Sequence, residues 1–435
     1  MFELGYGSLA LLTFLAITVL ILTRMPVAVV FMTIGVFGCA FLMPRPMLHE
    51  LGPAIWRMLD SFPLTSVVLF VLMGEFMMQG GLSEELYNAT EKWIYRIPGG
   101  LAQVNITACS IFAAISGSSV STAATMGVIA GPEMERRGYD NRLTYGSLAG
   151  GGTLGILIPP SIPMILYGSI TSTSVGKLFM AGFVPGIITT ILFMITTALW
   201  VLKSPKIAPP IKATLSWKVK FSALWGFLPT ALIILAVLGG IYGGIVTPTE
   251  AACVGAAASF VILVVKRRVT RSLLKKSLLS TIVVSSMTYM ILAGSGLINF
   301  LFTYLSVPRL ISQAVINLSL TPLNVFILIC LMYVVLGMFI DGISMVVLTV
   351  PTVVPLLTSL GFDPIWIGVV LVLLVEIALV TPPVGVNLYV LQGVAETASF
   401  AQIAIGSIPY IGVLMLMIVI MYLFPQLALW LPSTM

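Results

Sequence analysis

Charged residues are scarce in this sequence. Asp, Glu, Lys and Arg make up 8% of its 435 residues, whereas an ordinary soluble domain carries about 25%. Hydrophobic residues make up 59%. So few charged side chains cannot cover the surface of a soluble protein of this size. The composition therefore excludes a soluble fold and predicts an integral membrane protein.

Histidine and cysteine are also rare, and neither forms a reactive pattern. His49 is the only histidine, and the four cysteines lie in apolar stretches without CxxC or Cys/His spacing. This excludes a disulfide framework and a zinc site. The sequence also lacks a G-x-S-x-G segment and a Walker P-loop. We therefore expect a protein that is not an enzyme and is driven by an ion gradient rather than by ATP.

Apolar stretches of about 20 residues recur along the chain, which predicts membrane-spanning α-helices rather than the strands of a β-barrel. Because no basic region precedes the apolar stretch from Phe2 to Thr23, we expect it to be the first span and not a cleaved signal peptide. Full spans are predicted at residues 5–23, 26–43, 63–79, 183–202, 227–245, 250–265, 281–298 and 408–430.

Two further regions are apolar but interrupted by Gly, Ser, Thr and paired prolines, at residues 101–175 and 322–395. We interpret each as a re-entrant hairpin followed by one broken span, because a continuous span does not tolerate such interruptions. The prediction is an all-α polytopic membrane protein with about ten full spans and two re-entrant hairpins.

Basic residues fall very unequally on the two sides of this topology. Seventeen Lys and Arg residues lie on one side, and four lie on the other, at Arg45, Arg57, Lys177 and Arg309. The positive-inside rule places the seventeen in the cytoplasm and both termini in the periplasm. These residues form short clusters between spans, so the net charge of +6 does not indicate a nucleic-acid partner.

The two interrupted regions match each other at a constant offset of 223 residues. Gly138-Tyr139-Asp140 matches Gly361-Phe362-Asp363, Pro159-Pro160 matches Pro382-Pro383, and Pro132 matches Pro355. The chain holds only four aspartates and no other Gly-aromatic-Asp triplet, so we interpret the match as an internal repeat. An odd number of spans in each half makes the repeat inverted, as in many secondary transporters.

This repeat predicts two domains, residues 1–220 and 221–435. Each contains scaffold helices, a hairpin with a broken helix, and a last span. In the first half these parts are residues 1–97, 101–175 and 183–202. In the second half they are residues 221–320, 322–395 and 408–430.

The first hairpin carries the polar segment SGSSVST, from Ser116 to Thr122. Its glycine permits a tight turn, and its hydroxyls and freed carbonyls are oxygen ligands suited to a dehydrated Na⁺. A helix N-terminus at this tip would offer N–H groups to an anionic substrate. The alternative is a close helix contact in which the serines bond back to their own helix.

Two segments are predicted to break their helices. The run from Gly150 to Gly155, followed by Pro159-Pro160-Ser161, is not expected to remain a regular helix, and the segment from Thr381 to Asn387 repeats the pattern. Such breaks free backbone carbonyls, and the amide of Asn387 can both donate and accept hydrogen bonds. A kinked structural helix is the alternative for each segment.

Three carboxylates lie within apolar segments. Asp341 marks the tip of the second hairpin and is a candidate ligand for a cation or a proton, because a carboxylate in the membrane is costly unless paired. Its alternative role is that of a helix cap. For Glu376 we leave open a site-lining role and a buried structural hydrogen bond, and for Glu75 we favour a structural role.

Taken in order, these segments resemble the large membrane subunit of tripartite ATP-independent periplasmic (TRAP) transporters. The resemblance covers essentially the whole chain. It is carried by RMPVA at residues 24–28, the serine-rich hairpin at 116–127, GTLGILIPPS at 152–161, GIVTPTEAA at 244–252 and TPPVG at 381–385.

The resemblance implies an Na⁺-driven elevator transporter whose mobile domain contains both hairpins. It implies two partners, a small membrane subunit and a soluble periplasmic binding protein that delivers an organic acid. Because no small-subunit segment is fused to this chain, we expect a separate one. The ion sites of the family match Ser116, Gly117, Ser118 and Ser119 with Gly151, Gly152 and Thr153, and, as a second cluster, Asp341 and Gly342 with Thr381.

Our hypothesis is Na⁺-coupled import of a small carboxylate or sugar acid across the bacterial inner membrane. The hydroxyls of Ser118 and Thr122 and the amide of Asn387 are expected to hold the substrate, with Pro160 as a further contact. One alternative is a stand-alone Na⁺:dicarboxylate symporter of similar architecture, which would need no binding protein. An intramembrane enzyme is disfavoured because the catalytic residues are missing.

Overall fold

The computed structural model describes residues 6–23, 25–209 and 216–434. Every regular element within these ranges is helical, which confirms the predicted all-α class. The start of the first predicted span at residue 5, Arg24, Lys212 and both chain ends lie outside the described residues.

The first ten α-helices precede residue 204. They are α1 (Tyr6–Leu22), α2 (Val27–Leu42), α3 (Leu51–Leu59), α4 (Thr65–Gln79), α5 (Leu82–Ile94), α6 (Leu101–Ser116), α7 (Ser119–Arg136), α8 (Asn141–Leu157), α9 (Ile162–Thr171) and α10 (Val175–Lys203). The predicted boundary between the halves, after residue 220, falls in the first turn of the next helix.

The other ten α-helices are α11 (Trp217–Tyr242), α12 (Pro248–Val265), α13 (Arg271–Tyr304), α14 (Val307–Asn317), α15 (Pro322–Gly337), α16 (Gly342–Ser359), α17 (Pro364–Val380), α18 (Val386–Val394), α19 (Phe400–Leu423) and α20 (Gln426–Leu429). Four 3₁₀ helices, Arg45–Glu50, Phe62–Leu64, Pro205–Ile207 and Pro432–Thr434, complete the described part of the chain.

Eight helical segments in the described ranges are long and apolar enough to cross a membrane, counting α8 and α9 as one broken segment. The helices α1, α2, α6, α15 and α17 are apolar but shorter. Some predicted bounds were wrong: α10 begins at residue 175 rather than 183, and the last span ends at residue 423 rather than 430. The apolar runs of the sequence did not predict α3 and α14, because these helices are short and amphipathic.

The first interrupted region is a helical hairpin followed by a broken helix. The hairpin turns at Gly117, which has a left-handed φ of 61° that favours glycine. Ser118 caps α7, because its Oγ accepts a hydrogen bond from the Ser121 N–H. The expected break is present but shorter than the predicted segment: the run from Gly150 to Gly155 stays helical, and the chain leaves the helix only at residues 158–161. There two consecutive prolines, joined by a cis peptide bond, lack the N–H groups that a helix needs.

The second interrupted region has the same order of elements. Asp341 caps α16, α17 ends at Val380, and the break spans residues 381–385 before α18 begins. Two pairs of helix caps are 223 residues apart: Ser118 and Asp341 cap α7 and α16, and Asp140 and Asp363 cap α8 and α17.

Both carboxylate oxygens of Asp140 also accept hydrogen bonds from the side chain of Arg142. This guanidinium, together with the hydrogen bond from the Arg142 N–H, holds the pKa of the Asp140 carboxyl below its ordinary value. The turn before α8 therefore carries an ionised cap at neutral pH.

The two broken helices run past each other in opposite directions. At one end Asn141 Nδ2, in the first turn of α8, donates to Thr397 Oγ1, just beyond α18, at 3.1 Å. At the other end Tyr167 Oη, near the end of α9, donates to the carbonyl of Pro364, the first residue of α17, at 2.5 Å. The start of each broken helix is thus adjacent to the end of the other.

A glycine seam joins α8 to α19. A Cβ added to Gly146 would lie 2.2 Å from the Gly406 carbonyl oxygen, and one added to Gly406 would lie 2.1 Å from the Arg142 carbonyl oxygen. A Cβ on Gly150 would meet the ring of Tyr410 at 2.6 Å. The backbones of these helices are therefore in direct contact, as at small-residue interfaces between membrane helices.

A second group of helices, which includes α2, α3 and α12, packs around α13 and α4. A Cβ on Gly35 of α2 would lie 2.5 Å from the Leu297 Cβ of α13. Glu75 of α4 accepts a hydrogen bond from Ser280 of α13 at 2.6 Å, which agrees with the structural role favoured for this carboxylate.

The amphipathic helix α5 connects these helices to the first hairpin. Glu85 pairs with Lys266 and Arg268, which lie between α12 and α13. Glu91 pairs with Arg137, next to the end of α7, at 2.9 Å. The two ends of α5 are thus bound to different parts of the molecule.

Large apolar side chains are exposed on the outer surface of the bundle. Trp225 and Leu235 of α11 are 76% and 71% exposed, and Val265 of α12 is 76% exposed. In water such a surface would be a liability, but lipid tails solvate it without cost. The exposed surface therefore fits a protein surrounded by a bilayer.

Candidate functional site

Oxygen atoms are concentrated at the tip of the first hairpin. Ser116 Oγ and Thr122 Oγ1 are hydrogen-bonded at 2.6 Å, and Thr122 Oγ1 also donates to the Ser118 carbonyl oxygen at 2.8 Å. Ser116 and Thr122 are buried, and Ser118 is partly buried. Thr122 thus bonds back to its own helix in the way that the alternative expected of the serines. The same bonds gather three oxygens within a few ångströms of one another.

The helix break docks on this tip. The Ile162 N–H, at the start of α9, donates to the Gly117 carbonyl oxygen at 3.2 Å. A Cβ added to Gly117 would lie 3.0 Å from the Pro160 carbonyl oxygen. The predicted substrate contact Pro160 therefore lies directly against the hairpin turn.

Gly155 makes the closest approach of α8 to the same tip. A Cβ at this position would lie 2.6 Å from the Ser118 carbonyl oxygen and 2.7 Å from Thr122 Oγ1. Sequence reasoning did not include Gly155 among the site residues. Its signal was available, because Gly151 and Gly155 have the G-x-x-x-G spacing that permits close helix contacts.

Asn387 brings α18 into the cluster. Its Nδ2 donates to Ser119 Oγ at 2.6 Å. The side chain is fully buried, and its Oδ1 has no hydrogen-bond partner among the described residues. An orphaned buried acceptor of this kind is uncommon in native proteins and indicates a place where a bound molecule can donate.

The predicted ion ligands Gly151, Gly152 and Thr153 precede Gly155 on α8. A Cβ on Gly151 would contact Cys109 of α6 at 3.0 Å, and one on Gly152 would contact Ala123 of α7 at 2.8 Å. Thr153 Oγ1 donates to the carbonyl of Gly150 in its own helix at 2.7 Å. These residues pack α8 against the hairpin arms, and their role as ligands stays a prediction.

The second cluster lies at the tip of the other hairpin. Asp341, which is partly buried, accepts from the Ser344 N–H at 3.1 Å and from Ser344 Oγ at 2.5 Å. Gly342 lies against α17, since its Cβ would meet Val375 Cγ1 at 2.6 Å. Thr381 Oγ1 donates to the Ile377 carbonyl at 2.5 Å. Asp341 therefore has the capping role, and its remaining lone pairs stay available to a cation.

The structure thus brings Ser116 to Thr122 together with Pro160 and Asn387, and it packs Gly342 of α16 against α17, the helix that ends just before Thr381. Within the described ranges no hydrogen bond joins the first cluster to the second.

Several helices begin or end at these clusters, which determines their electrostatics. The helices α7, α9 and α18 begin at the first cluster, and α16 begins at the second. Their first turns present N–H groups that attract anions. The ends of α6, α8 and α17 present carbonyl groups that attract cations. The described part of the chain contains no group of three His, Cys, Asp or Glu residues that could hold a metal ion.

Residues 14–427 match the family model described as "Tripartite ATP-independent periplasmic transporter, DctM component". The chain belongs to this family. As a DctM component it is the large membrane subunit of a TRAP transporter, which confirms the family indicated by the sequence segments. The protein is therefore a component of a transporter with three parts.

Curated relatives of this DctM component agree. It is 35% identical over 387 residues to the C4-dicarboxylate TRAP transporter large permease protein DctM of Pseudomonas aeruginosa, with 88% of this chain and 90% of the relative covered. It is 34% identical over 376 residues to the isethionate TRAP transporter permease protein DctMQ of Oleidesulfovibrio alaskensis, with 86% of this chain and 58% of that protein covered.

The fold of the DctM component is similar to that of a solved transporter. The crystal structure of the Alcanivorax borkumensis YdaH transporter superposes with a TM-score of 0.63, covering 96% of this chain and 99% of that one at 14% identity. At this identity the similarity concerns the fold alone.

Proposed function

We propose that this protein carries a small organic acid across the bacterial inner membrane by Na⁺-coupled transport. A periplasmic binding protein delivers the acid, and a small membrane subunit completes the assembly. The observation that carries the proposal is the polar cluster of Ser116 to Thr122, Pro160 and Asn387, which is enclosed by apolar helices where a hairpin tip meets two helix breaks. Polar groups at such depth are expensive and are retained for function.

The chemistry of the first cluster suits a carboxylate or sugar acid. The starts of α7, α9 and α18 supply N–H groups for the acid group without a lysine or arginine. The hydroxyls of Ser118 and Thr122 and the amide of Asn387 can bond hydroxyl or carbonyl groups of the substrate. The relatives named for C4-dicarboxylate and isethionate both handle small organic anions, which supports this substrate class.

Two groups of oxygens fit Na⁺. The first is Ser116, Gly117, Ser118 and Ser119 beside α8, where Gly151, Gly152 and Thr153 lie, and the second is Asp341 and Gly342 with Thr381. Hydroxyl, carboxylate and helix-terminal carbonyl oxygens are ligands that a hard monovalent cation accepts. When bound, Na⁺ would supply positive charge that holds the tip oxygens together and offsets the charge of the acid.

We also propose that the two halves are inverted repeats and that both hairpins move as one body in an elevator motion, with both termini in the periplasm. The caps spaced by 223 residues and the opposite directions of the two broken helices support the inverted relation. One end of α5 pairs with the segment between α12 and α13, and the other end pairs with the end of α7. This arrangement supports α5 as a connection between the moving hairpins and the remaining helices.

The test is uptake of a labelled organic-acid panel by proteoliposomes that contain this chain and its small subunit. Uptake is measured with and without the binding protein and with and without an inward Na⁺ gradient. We expect uptake only when both are present. Uptake that needs Na⁺ but no binding protein would instead indicate the stand-alone symporter, and uptake indifferent to Na⁺ would refute the ion sites.

A further inference from the structure

Glu376 is a buried acid that the site described above does not use. It is the only Asp, Glu, Lys, Arg or His within the helices α15 to α19. Its side chain is fully buried, and every residue from Trp366 to Val380 in α17 is buried as well. It lies one and a half turns before the helix break at Thr381.

Neither carboxyl oxygen of Glu376 has a hydrogen-bond partner among the described residues. The contrast with Glu75 is direct, since that buried acid accepts from Ser280 at 2.6 Å and from Gln79 at 3.5 Å. The structural hydrogen bond that the sequence left open for Glu376 is therefore not made within the described ranges.

No positive charge compensates Glu376 from the helices packed against α17, which are α8, α9, α10, α15, α16, α18, α19 and α20. The only cationic residues on them are Arg142, bound to Asp140, and Lys177 and Lys203, in the first and last turns of α10. Asp341, the acid of the second cluster, is bound to Ser344.

The tyrosines and the cysteine on these helices make no hydrogen bond to Glu376 within the described ranges either. Five tyrosine hydroxyls are hydrogen-bonded to other groups. The pairs are Tyr145 with Glu135, Tyr167 with Pro364, Tyr333 with Thr349, Tyr410 with Thr197, and Tyr389 with Pro383. Cys330 and Tyr422 line a surface groove with Leu374 and Ile377, on a different side of α17 from Glu376.

An ionised carboxylate in this environment is strongly disfavoured, because nothing replaces its hydration. The neutral acid is the stable form, although its O–H group also lacks a partner. Native proteins retain such unsatisfied groups mainly where they have a role.

We propose that Glu376 is a proton-binding site. Its carboxyl holds a proton while α17 is packed as in this structure, and it releases that proton to water when the contacts around the end of α17 open. Those contacts are tight, since a Cβ on Gly342 would lie 2.6 Å from Val375 and a Cβ on Gly337 would lie 2.0 Å from Ala378. Because ionisation requires these contacts to open, the proton couples the packing of α17 to pH. The proposal does not depend on the identity of the substrate or on Na⁺.

The first test is infrared spectroscopy of the purified full-length protein in lipid at neutral pH. We expect a carbonyl-stretch band of a protonated carboxyl that shifts in D₂O, is absent from Glu376→Gln and moves in Glu376→Asp. The matched control Glu75→Gln should retain the band. If wild type and Glu376→Gln give the same spectrum in this region, Glu376 is ionised and the proposal is overturned. If Glu376→Gln does not fold, the shift in Glu376→Asp decides the same question.

The second test is the pH dependence of uptake, and this arm rests on the proposed transport function. When one proton titrates a site, the population of its minor protonation state changes by up to about tenfold per pH unit away from the titration midpoint. We expect wild-type uptake to follow such a change with pH, Glu376→Gln to vary less than about twofold over the same range, and Glu75→Gln to follow wild type. A Glu376→Gln profile identical to that of wild type would overturn the coupling. Absence of uptake in wild type would refute the transport proposal, and the infrared result would still decide the protonation state.

Discussion

The substitution Gly155→Ala tests the contact between α8 and the first hairpin tip. Its methyl group would lie 2.6 Å from the Ser118 carbonyl oxygen and 2.7 Å from Thr122 Oγ1, whereas ordinary contacts begin at 3.4 Å. The tip must therefore retreat by about 0.8 Å. Forcing an extra methyl group into a packed site costs about 1–3 kcal/mol. In a helix without neighbours the same change would stabilise the helix by about 0.5–1 kcal/mol. A loss of stability in this protein is therefore attributable to the clash.

The displaced Ser118 carbonyl belongs to the proposed Na⁺ site and Thr122 Oγ1 to the proposed substrate site, so the cost should fall on ion binding as well as on folding. Since about 1.4 kcal/mol corresponds to a factor of ten in affinity, we expect the Na⁺ concentration for half-maximal uptake to rise about tenfold or more. The assay is uptake by proteoliposomes over a range of Na⁺ concentrations, together with the thermal midpoint of the purified protein.

The matched control is Gly412→Ala on α19, where an added Cβ meets no atom within 4 Å. It should leave both the Na⁺ dependence and the thermal midpoint near their wild-type values. If Gly155→Ala behaves like this control in both measurements, the contact is not as close as described and the reasoning fails. If the wild type shows no Na⁺ dependence, the ion proposal fails while the thermal midpoint still tests the packing.

Three further predictions use paired or single substitutions. Asp341→Asn and Asp363→Asn both retain a side chain able to cap a helix, yet only the first should weaken the Na⁺ dependence of uptake; equal effects would remove Asp341 from the ion site. Asn387→Ala should raise the substrate concentration for half-maximal uptake by about tenfold, as expected for the loss of one or two buried hydrogen bonds, and an unchanged value would exclude this amide from the substrate site. Gly406→Ala should lower the free energy of unfolding by about 1–3 kcal/mol because its methyl group has no space in the seam, while Gly412→Ala should not; similar denaturation midpoints for the two would contradict a backbone contact.

Much of the local architecture was predictable because it depends on nearby residues. Gly117 at the hairpin turn and the Pro159-Pro160 break follow from local backbone chemistry, and the structure has the turn and the break there. The all-α class followed from apolar runs. The first turns of α10 and the amphipathic helices α3 and α14 were missed because they contain too few consecutive apolar residues to be detected by such runs.

Features that depend on distant contacts could not be predicted in this way. The whole segment from Gly150 to Ser161 was expected to break a helix, and its glycines have low helix propensity. In the structure its glycines instead allow close contacts with residues of three other helices and a hairpin tip. These residues are Tyr410, Cys109, Ala123 and Ser118. Tertiary packing therefore overrode the local preference. The missing partner of Glu376 is likewise invisible in a sequence, since it is a property of all the helices around α17.

The glycine seam between α8 and α19 limits which parts of the molecule can slide. Two backbones in direct contact leave no layer of side chains that could rearrange to allow one helix to shift along the other. The helices α8 and α19 must then travel as a single rigid unit in any large motion. α19 is distant from the first hairpin in the sequence. Its contact with α8 nevertheless makes it move with that hairpin and not with the helices around α13.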